Sequence, residues 1–239
     1  MAGMSLCDSD AASPFLDIPG VRNLRDAAIG PIRPGRLYRS GSLNQLTPEG
    51  AQRLKALGIR SVVDLRGAVE LAHWPDELHG LDLTTLNLPT LPERHGDERP
   101  WPDDQAALYL YMAETAGRSI AALVRHLASP GALPALVHCA VGKDRTGLTT
   151  AVLQRLLGAA EADITAGFLR SNAGLGLLDG PVPYTDETGA ERLSRPVTAE
   201  CLLDALDRLH ELHGSVESFL RAHGVTTGEL TALRTALTG

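Results

Sequence analysis

Lysine and aromatic residues are scarce in this chain. Its 239 residues hold only two lysines, Lys55 and Lys143, among 22 lysine and arginine residues, and aromatic side chains make up 4%. Aliphatic side chains must therefore fill most of the core that a 44% hydrophobic, 21% charged composition allows. Cysteine is also sparse: Cys7, Cys139 and Cys201 are odd in number and widely spaced. That pattern gives neither a disulfide framework nor a zinc site, and it points to a reducing, cytoplasmic setting with export by a nonstandard route left open. No apolar run approaches the roughly 20 residues of a membrane span, so stable membrane insertion is not expected. Residues 1–13 lack the basic start and apolar stretch of a signal peptide and are expected to form a flexible tail. Positive charge is in deficit as well. A net charge of −7 argues against nucleic acid as a partner, and any phosphate site must supply its own local positive field.

What is present reads as one α/β domain over residues 14–239, with 172–239 forming a lid and helical appendage within it. RLYRS (36–40), IRSVVDLRG (59–67), LDLTTLNLP (81–89) and ALPALVHC (132–139) have the character of strands. The second of these is nearly continuous in apolarity, as a strand buried on both faces is. Helical patterns lie between them and after them. Thr47-Pro48-Glu49 supplies an N-cap, a first-turn proline and a first-turn acid, and Gly58 supplies a stop. Two helices meeting near Gly117 are expected within 104–128, and others at 145–157, 160–171, 198–212, 215–223 and 227–238. Residues 172–197 are rich in glycine and proline and read as a flexible connection, with Gly174 and Gly176 as hinge material for a lid. The alternation implies a central, mostly parallel sheet flanked by helices.

One of the two lysines lies in VHCAVGKDRTG (137–147). There a buried strand ends at Cys139, a short loop containing Gly142 follows, and a helix begins near Arg145. Ligands in open α/β sheets bind beyond the carboxyl ends of strands. Backbone amides of Ala140, Val141, Gly142, Lys143, Asp144 and Arg145 can converge there on one anion, helped by the helix N-terminus. The side chains then acquire roles. Cys139 as a thiolate can attack phosphorus and form a phosphocysteine. Arg145 offers a planar fork to two phosphate oxygens. Thr146 can donate to the sulfur, and His138 can orient the loop. This chemistry requires neither metal nor other cofactor.

His-Cys, five residues, then Arg-Thr-Gly resembles the signature of the cysteine-dependent protein-tyrosine phosphatase superfamily, in the bacterial branch that carries Gly-Lys-Asp-Arg-Thr-Gly. NLRDA (23–27), RLYRSGSL (36–43), VVDLRGAVE (62–70), AGFLRSN (166–172) and GSVESFL (214–220) extend the resemblance over most of residues 15–239. It implies a phosphatase core with an added helical lid, acting on phosphotyrosine proteins or other phosphomonoesters, including phosphoinositides. It also implies that Lys143 reaches a second anionic group of the substrate, and it favours Asp144 as the general acid.

Two other carboxylates compete for that role. Asp103 belongs to Trp101-Pro102-Asp103, the tripeptide of the acid-bearing loop in larger tyrosine phosphatases. Asp103 and Asp104 equally suit a helix N-cap, and Trp74-Pro75-Asp76 is a second copy that makes the tripeptide a weak signal. Asp64 ends a strand on the same edge of the sheet, although Asp64 and Arg66, followed by Glu70, read better as a buried ion pair bracing the loop. The ranking from sequence is Asp144, Asp103, Asp64. Rival functions are a small-molecule phosphatase with the same loop chemistry, a rhodanese-type sulfurtransferase suggested by DLRGAVEL, and an inactive phosphate-binding module. The sequence sets no oligomeric state.

Overall fold

A computed structural model describes residues 13–92 and 101–239; the expected tail and most of the polar loop before Trp101 lie outside them. The central sheet has five strands in the order β1-β2-β5-β3-β4: β1 (Arg25–Asp26), β2 (Leu37–Ser40), β3 (Ser61–Asp64), β4 (Thr84–Asn87) and β5 (Ala135–His138). Only the two-residue β1 runs antiparallel to its neighbour; the β2–β5, β5–β3 and β3–β4 pairs are all parallel. Every residue of β2, β3 and β5 is buried, including the polar Arg39, Ser40, Ser61, Asp64 and His138.

Strand side chains alternate between two faces, and the alternation divides the core. Leu37, Val63, Ala135 and Val137 enter one buried cluster, whereas Tyr38, Val62 and Leu136 enter the other. The second cluster is covered by α1 (Pro48–Ala56), capped by the Thr47 hydroxyl on the Gly50 amide and stopped at Gly58 with φ +69°. The first cluster takes the remaining large helices: α3 (Gln105–Thr115), α4 (Gly117–Ala128), α5 (Asp144–Leu156), α6 (Glu161–Gly174), α7 (Ala199–His213), α8 (Val216–Ala222) and α9 (Thr227–Thr238). Leu202, Leu206, Leu209, Phe219, Leu230 and Leu233 are buried in the same cluster as Met112 and Ile120. The closing helices therefore help to form the main core.

Four elements differ from expectation, the short β1 among them. A short helix, α2 (Ala68–His73), follows β3, and a two-stranded antiparallel hairpin, β6 (Val182–Thr185) with β7 (Glu191–Ser194), replaces the expected flexible connection. The hairpin turn is organised by Asp186, whose carboxylate accepts from Thr188, Ala190 and Arg192. Gly174 closes α6 rather than forming a hinge. A Cβ there would lie 2.5 Å from Asn23 Oδ1 and 2.6 Å from the Phe15 ring, so close packing requires glycine at this position.

Candidate active site

The register aligns the carboxyl ends of the three buried strands, with Ser40 and Asp64 both opposite His138. Cys139 follows at the mouth of this central strand, 2% exposed. The chain then curls through Gly142, at φ +69°, where a Cβ would stand 2.2 Å from the Ser40 carbonyl oxygen. Both the dihedral and the clearance demand glycine.

The carbonyls of the loop are held from outside. Ala140 O accepts from the Ser42 amide at 3.0 Å. Val141 O and Gly142 O accept from Asn23 Nδ2 at 3.1 and 3.0 Å. Gly142 O also accepts from Arg39 Nη2 at 2.8 Å. Because C=O and N–H oppose each other across a trans peptide plane, turning these carbonyls outward turns the amides of Val141, Gly142 and Lys143 inward. Asn23 is in turn held by Arg25, which also reaches Ser171 Oγ on α6. Arg39 has no carboxylate partner among the described residues; burial lowers its pKa to about 10, while negative charge at Cys139 and Asp144 acts in the other direction.

Inside the loop, burial pushes the Cys139 thiol up, but Arg145 and the Thr146 hydroxyl and amide outweigh it, so the net shift is below the ordinary thiol range. The Thr146 hydroxyl is buried and has no hydrogen-bond partner of ordinary geometry among the described residues, which leaves its proton free to turn to the sulfur. Arg145, in the first turn of α5, is gripped as a fork by Glu70 of α2, with Nη1 to Oε2 at 2.5 Å and Nη2 to Oε1 at 2.7 Å. Glu70 is fixed by the Gly67 amide at 3.1 Å. Burial opposes its ionisation, yet Arg145 and this amide hold its carboxyl below the usual range. The Trp101 ring lies 5.7 Å from the Arg145 guanidinium carbon.

Behind the loop, His138 is fully buried, with Nε2 3.0 Å from Asp76 Oδ2 and Nδ1 3.8 Å from Asp64 Oδ1. Arg66 Nη2 joins the two acids at 2.7 Å to Asp64 and 2.8 Å to Asp76. The ligand atoms of Asp64, Asp76 and His138 all lie within 4.8 Å of one another, but this guanidinium already supplies the cation between the carboxylates. Burial lowers the His138 pKa, and Asp76 and Asp64 more than reverse it. Its stabilising contribution is therefore full below about pH 6.5 and is lost as pH rises through the elevated folded value. For Asp76 burial raises the pKa, but His138 and Arg66 bring it below the usual carboxylate range; that contribution holds at neutral pH and is lost on acidification. Asp76→Ala is expected to cost roughly 3–5 kcal/mol, because it strips one acid from a buried cation cluster. Urea unfolding at pH 7 measures it, with a fall in the midpoint at unchanged slope as the expected result.

The competing acids occupy different settings. Asp64 accepts the Arg66 amide and guanidinium. Asp103 is exposed, beside Asp104, which is the one that caps α3 by accepting from the Ala107 amide at 2.8 Å. Asp144 opens α5 beside the cradle, and its Oδ1 accepts from Tyr109 OH at 3.0 Å. Lys143 is 3% exposed, and its ammonium donates to the Arg195 carbonyl and to Ser194 Oγ at 3.4 Å, tying the end of the hairpin to the loop.

A family profile described as "Tyrosine phosphatase family" matches residues 16–239. The chain belongs to the tyrosine phosphatase family. It is 30% identical over 278 residues to the "Triple specificity protein phosphatase PtpB" of Mycobacterium tuberculosis, covering 93% of this chain and 99% of the relative. A "Tyrosine-protein phosphatase" of Nostoc commune is 26% identical over 220 residues, covering 83% of this chain and 73% of that one. The solved structure of P. aeruginosa TpbA covers 86% of this chain and 97% of its own at 19% identity, with a TM-score of 0.42, too low a likeness to argue from.

In this phosphatase the loop residues named from the motif, Cys139 to Thr146, share one cradle, with His138 and Arg66 behind it. Sequence reasoning passed over Asn23, Asp76 and Tyr109. Asp76 was visible as the second Trp-Pro-Asp copy, which braces the cradle from behind, while the first copy brings Trp101 to its front. Tyr109 was detectable only as one of four tyrosines, in a helix whose buried face could not be aligned with the loop beforehand.

Proposed function

We propose that the phosphatase hydrolyses phosphomonoesters through a phosphocysteine on Cys139, with phosphotyrosine in proteins as the favoured substrate. The observation that carries this reading is a buried thiol with lowered pKa, ringed by inward-turned amides, beside a guanidinium fork held by Glu70. The thiolate attacks phosphorus as the ester P–O bond breaks. The departing oxygen takes the bonding pair and the Asp144 proton. Arg145 and the loop amides carry the charge on the non-bridging oxygens. Water then attacks phosphorus, its proton passes to Asp144, and the S–P bond breaks to return the thiolate. Family membership and the name of the Nostoc commune relative support the choice of phosphotyrosine.

Asp144 is preferred as acid because it stands at the loop itself, while the Asp64 carboxylate is committed to Arg66. A second reading, with Asp103 as the acid, draws on the position of Trp101 against Arg145. Asp144→Asn is expected to lower kcat/KM by roughly 100-fold for alkyl phosphates and little for nitrophenyl phosphate. Asp103→Asn is expected to do neither; the reverse result transfers the role to Asp103.

Substrate class is tested by phosphate release, in chelator, from phosphotyrosine and phosphoserine peptides, a phosphoinositide, and sugar and nucleotide monophosphates, with Cys139→Ser as the blank. Preference for phosphotyrosine, alone or with the lipid, supports the proposal. One metabolite far ahead of all the others replaces it with a small-molecule phosphatase.

A further inference from the structure

We propose that Tyr109 is a positioning residue for proton transfer: its phenol fixes Asp144 Oδ1 and so leaves Oδ2 as the oxygen that carries the transferred proton. This rests on the reading of Asp144 as the general acid.

Tyr109 lies in the second turn of α3 and is 0% exposed. Its ring meets Phe168 of α6 edge to face, with centroids 5.9 Å apart and planes at 85°. Phe168 is itself admitted by Gly147, where a Cβ would stand 2.7 Å from the Phe168 ring. The packing thus calls for an aromatic ring at position 109, and phenylalanine would fill it equally well. The hydroxyl is the additional feature, and a buried phenol is costly without an acceptor. Its partner is Asp144 Oδ1 at 3.0 Å.

The donor is permanent. Burial and the adjacent Asp144 charge hold the phenol proton well above the ordinary tyrosine range, so Tyr109 is a donor at neutral pH. A carboxylic acid has one protonated oxygen, and a donor locked onto Oδ1 assigns the proton to Oδ2. The groups facing Asp144 are Tyr109 from α3, Lys143 from the loop at 3.7 Å from Oδ2, and Arg39 and Cys139, which couple to it electrostatically. Lys143 spends its ammonium on the Arg195 carbonyl and Ser194. Asp144 keeps a quarter of its side chain exposed, so the carboxyl is anchored from inside and open toward the cradle mouth. The same α3 begins just after the Trp101-Pro102-Asp103 segment.

The test is kcat/KM for wild type, Tyr109→Phe, Asp144→Asn and the double variant, across phosphate esters from nitrophenyl to alkyl leaving groups. Tyr109→Phe keeps the ring, and vanadate binding reports whether its cradle is intact. The expected result for Tyr109→Phe is unchanged vanadate affinity, nitrophenyl phosphate within about 3-fold of wild type, and alkyl phosphates down by roughly 10- to 100-fold. The double variant should lose no more than Asp144→Asn alone, because Tyr109 acts through that residue. An equal loss on every ester with weakened vanadate binding would make Tyr109 merely structural. No loss in Tyr109→Phe, with Asp144→Asn steeply dependent on leaving group, overturns the Tyr109 role and leaves the acid assignment standing. Asp144→Asn without effect on alkyl phosphates removes the acid assignment, and this inference with it.

Discussion

Cys139→Ser is expected to bring phosphate release down to the blank, a loss of roughly 10⁴-fold or more, as for removal of other covalent nucleophiles. Serine preserves the shape of the loop but not the nucleophile: a hydroxyl beside Arg145 stays protonated where the thiol does not. Vanadate and phosphate binding should therefore survive, because the inward amides and the Arg145 fork remain. The wild-type thiol should also alkylate with iodoacetate along a pH profile whose midpoint lies below the ordinary thiol value of about 8.5. Burial acts against that shift, and Arg145 with Thr146 acts for it more strongly. A midpoint at or above the ordinary value would show that the cradle does not stabilise a thiolate.

Arg145→Ala is expected to lose both functions, with kcat/KM down by roughly 10³- to 10⁵-fold, the range found for an arginine that stabilises a transferring phosphoryl group, and with vanadate binding lost. The structure adds a second consequence. Glu70 is buried and held in its ionised form chiefly by Arg145, so the variant leaves an unpaired carboxylate at the mouth of an anion site. Arg145→Ala with Glu70→Gln should therefore recover part of the lost vanadate affinity while turnover stays low. Recovery of turnover in that pair would mean that Arg145 serves only to neutralise Glu70.

The sheet was legible because β3 and β5 lie in largely apolar segments separated by helical patterns, and its helices carry ordinary caps, as at Thr47 and Gly58. The cradle was legible because Cys139, Gly142, Arg145 and Thr146 are close in sequence, so local geometry brings them together. Its supports were not, because each comes from a distant segment and owes its place to tertiary packing. Asn23 reaches the loop across 118 residues and Tyr109 across 35. Glu70 appeared in sequence as a companion of Asp64 and Arg66, yet it grips Arg145, because it is carried by α2, a helix the sequence pattern did not reveal. Lys143 had been expected at the substrate; here its ammonium is bound to the hairpin end. That hairpin was missed because its strands are short and largely exposed, and β6 carries Pro183, so they lack the apolar alternation of a half-buried strand.

The central claim is that catalysis passes through phosphorus bonded to Cys139. The most direct test is rapid acid quench of the enzyme during turnover of a phosphotyrosine peptide, followed by peptide mapping by mass spectrometry. One phosphoryl group on the Cys139 peptide, formed within the first turnover and absent in Cys139→Ser, is the predicted result. Steady turnover with that peptide unmodified throughout, or with the phosphoryl group on another residue, would contradict it.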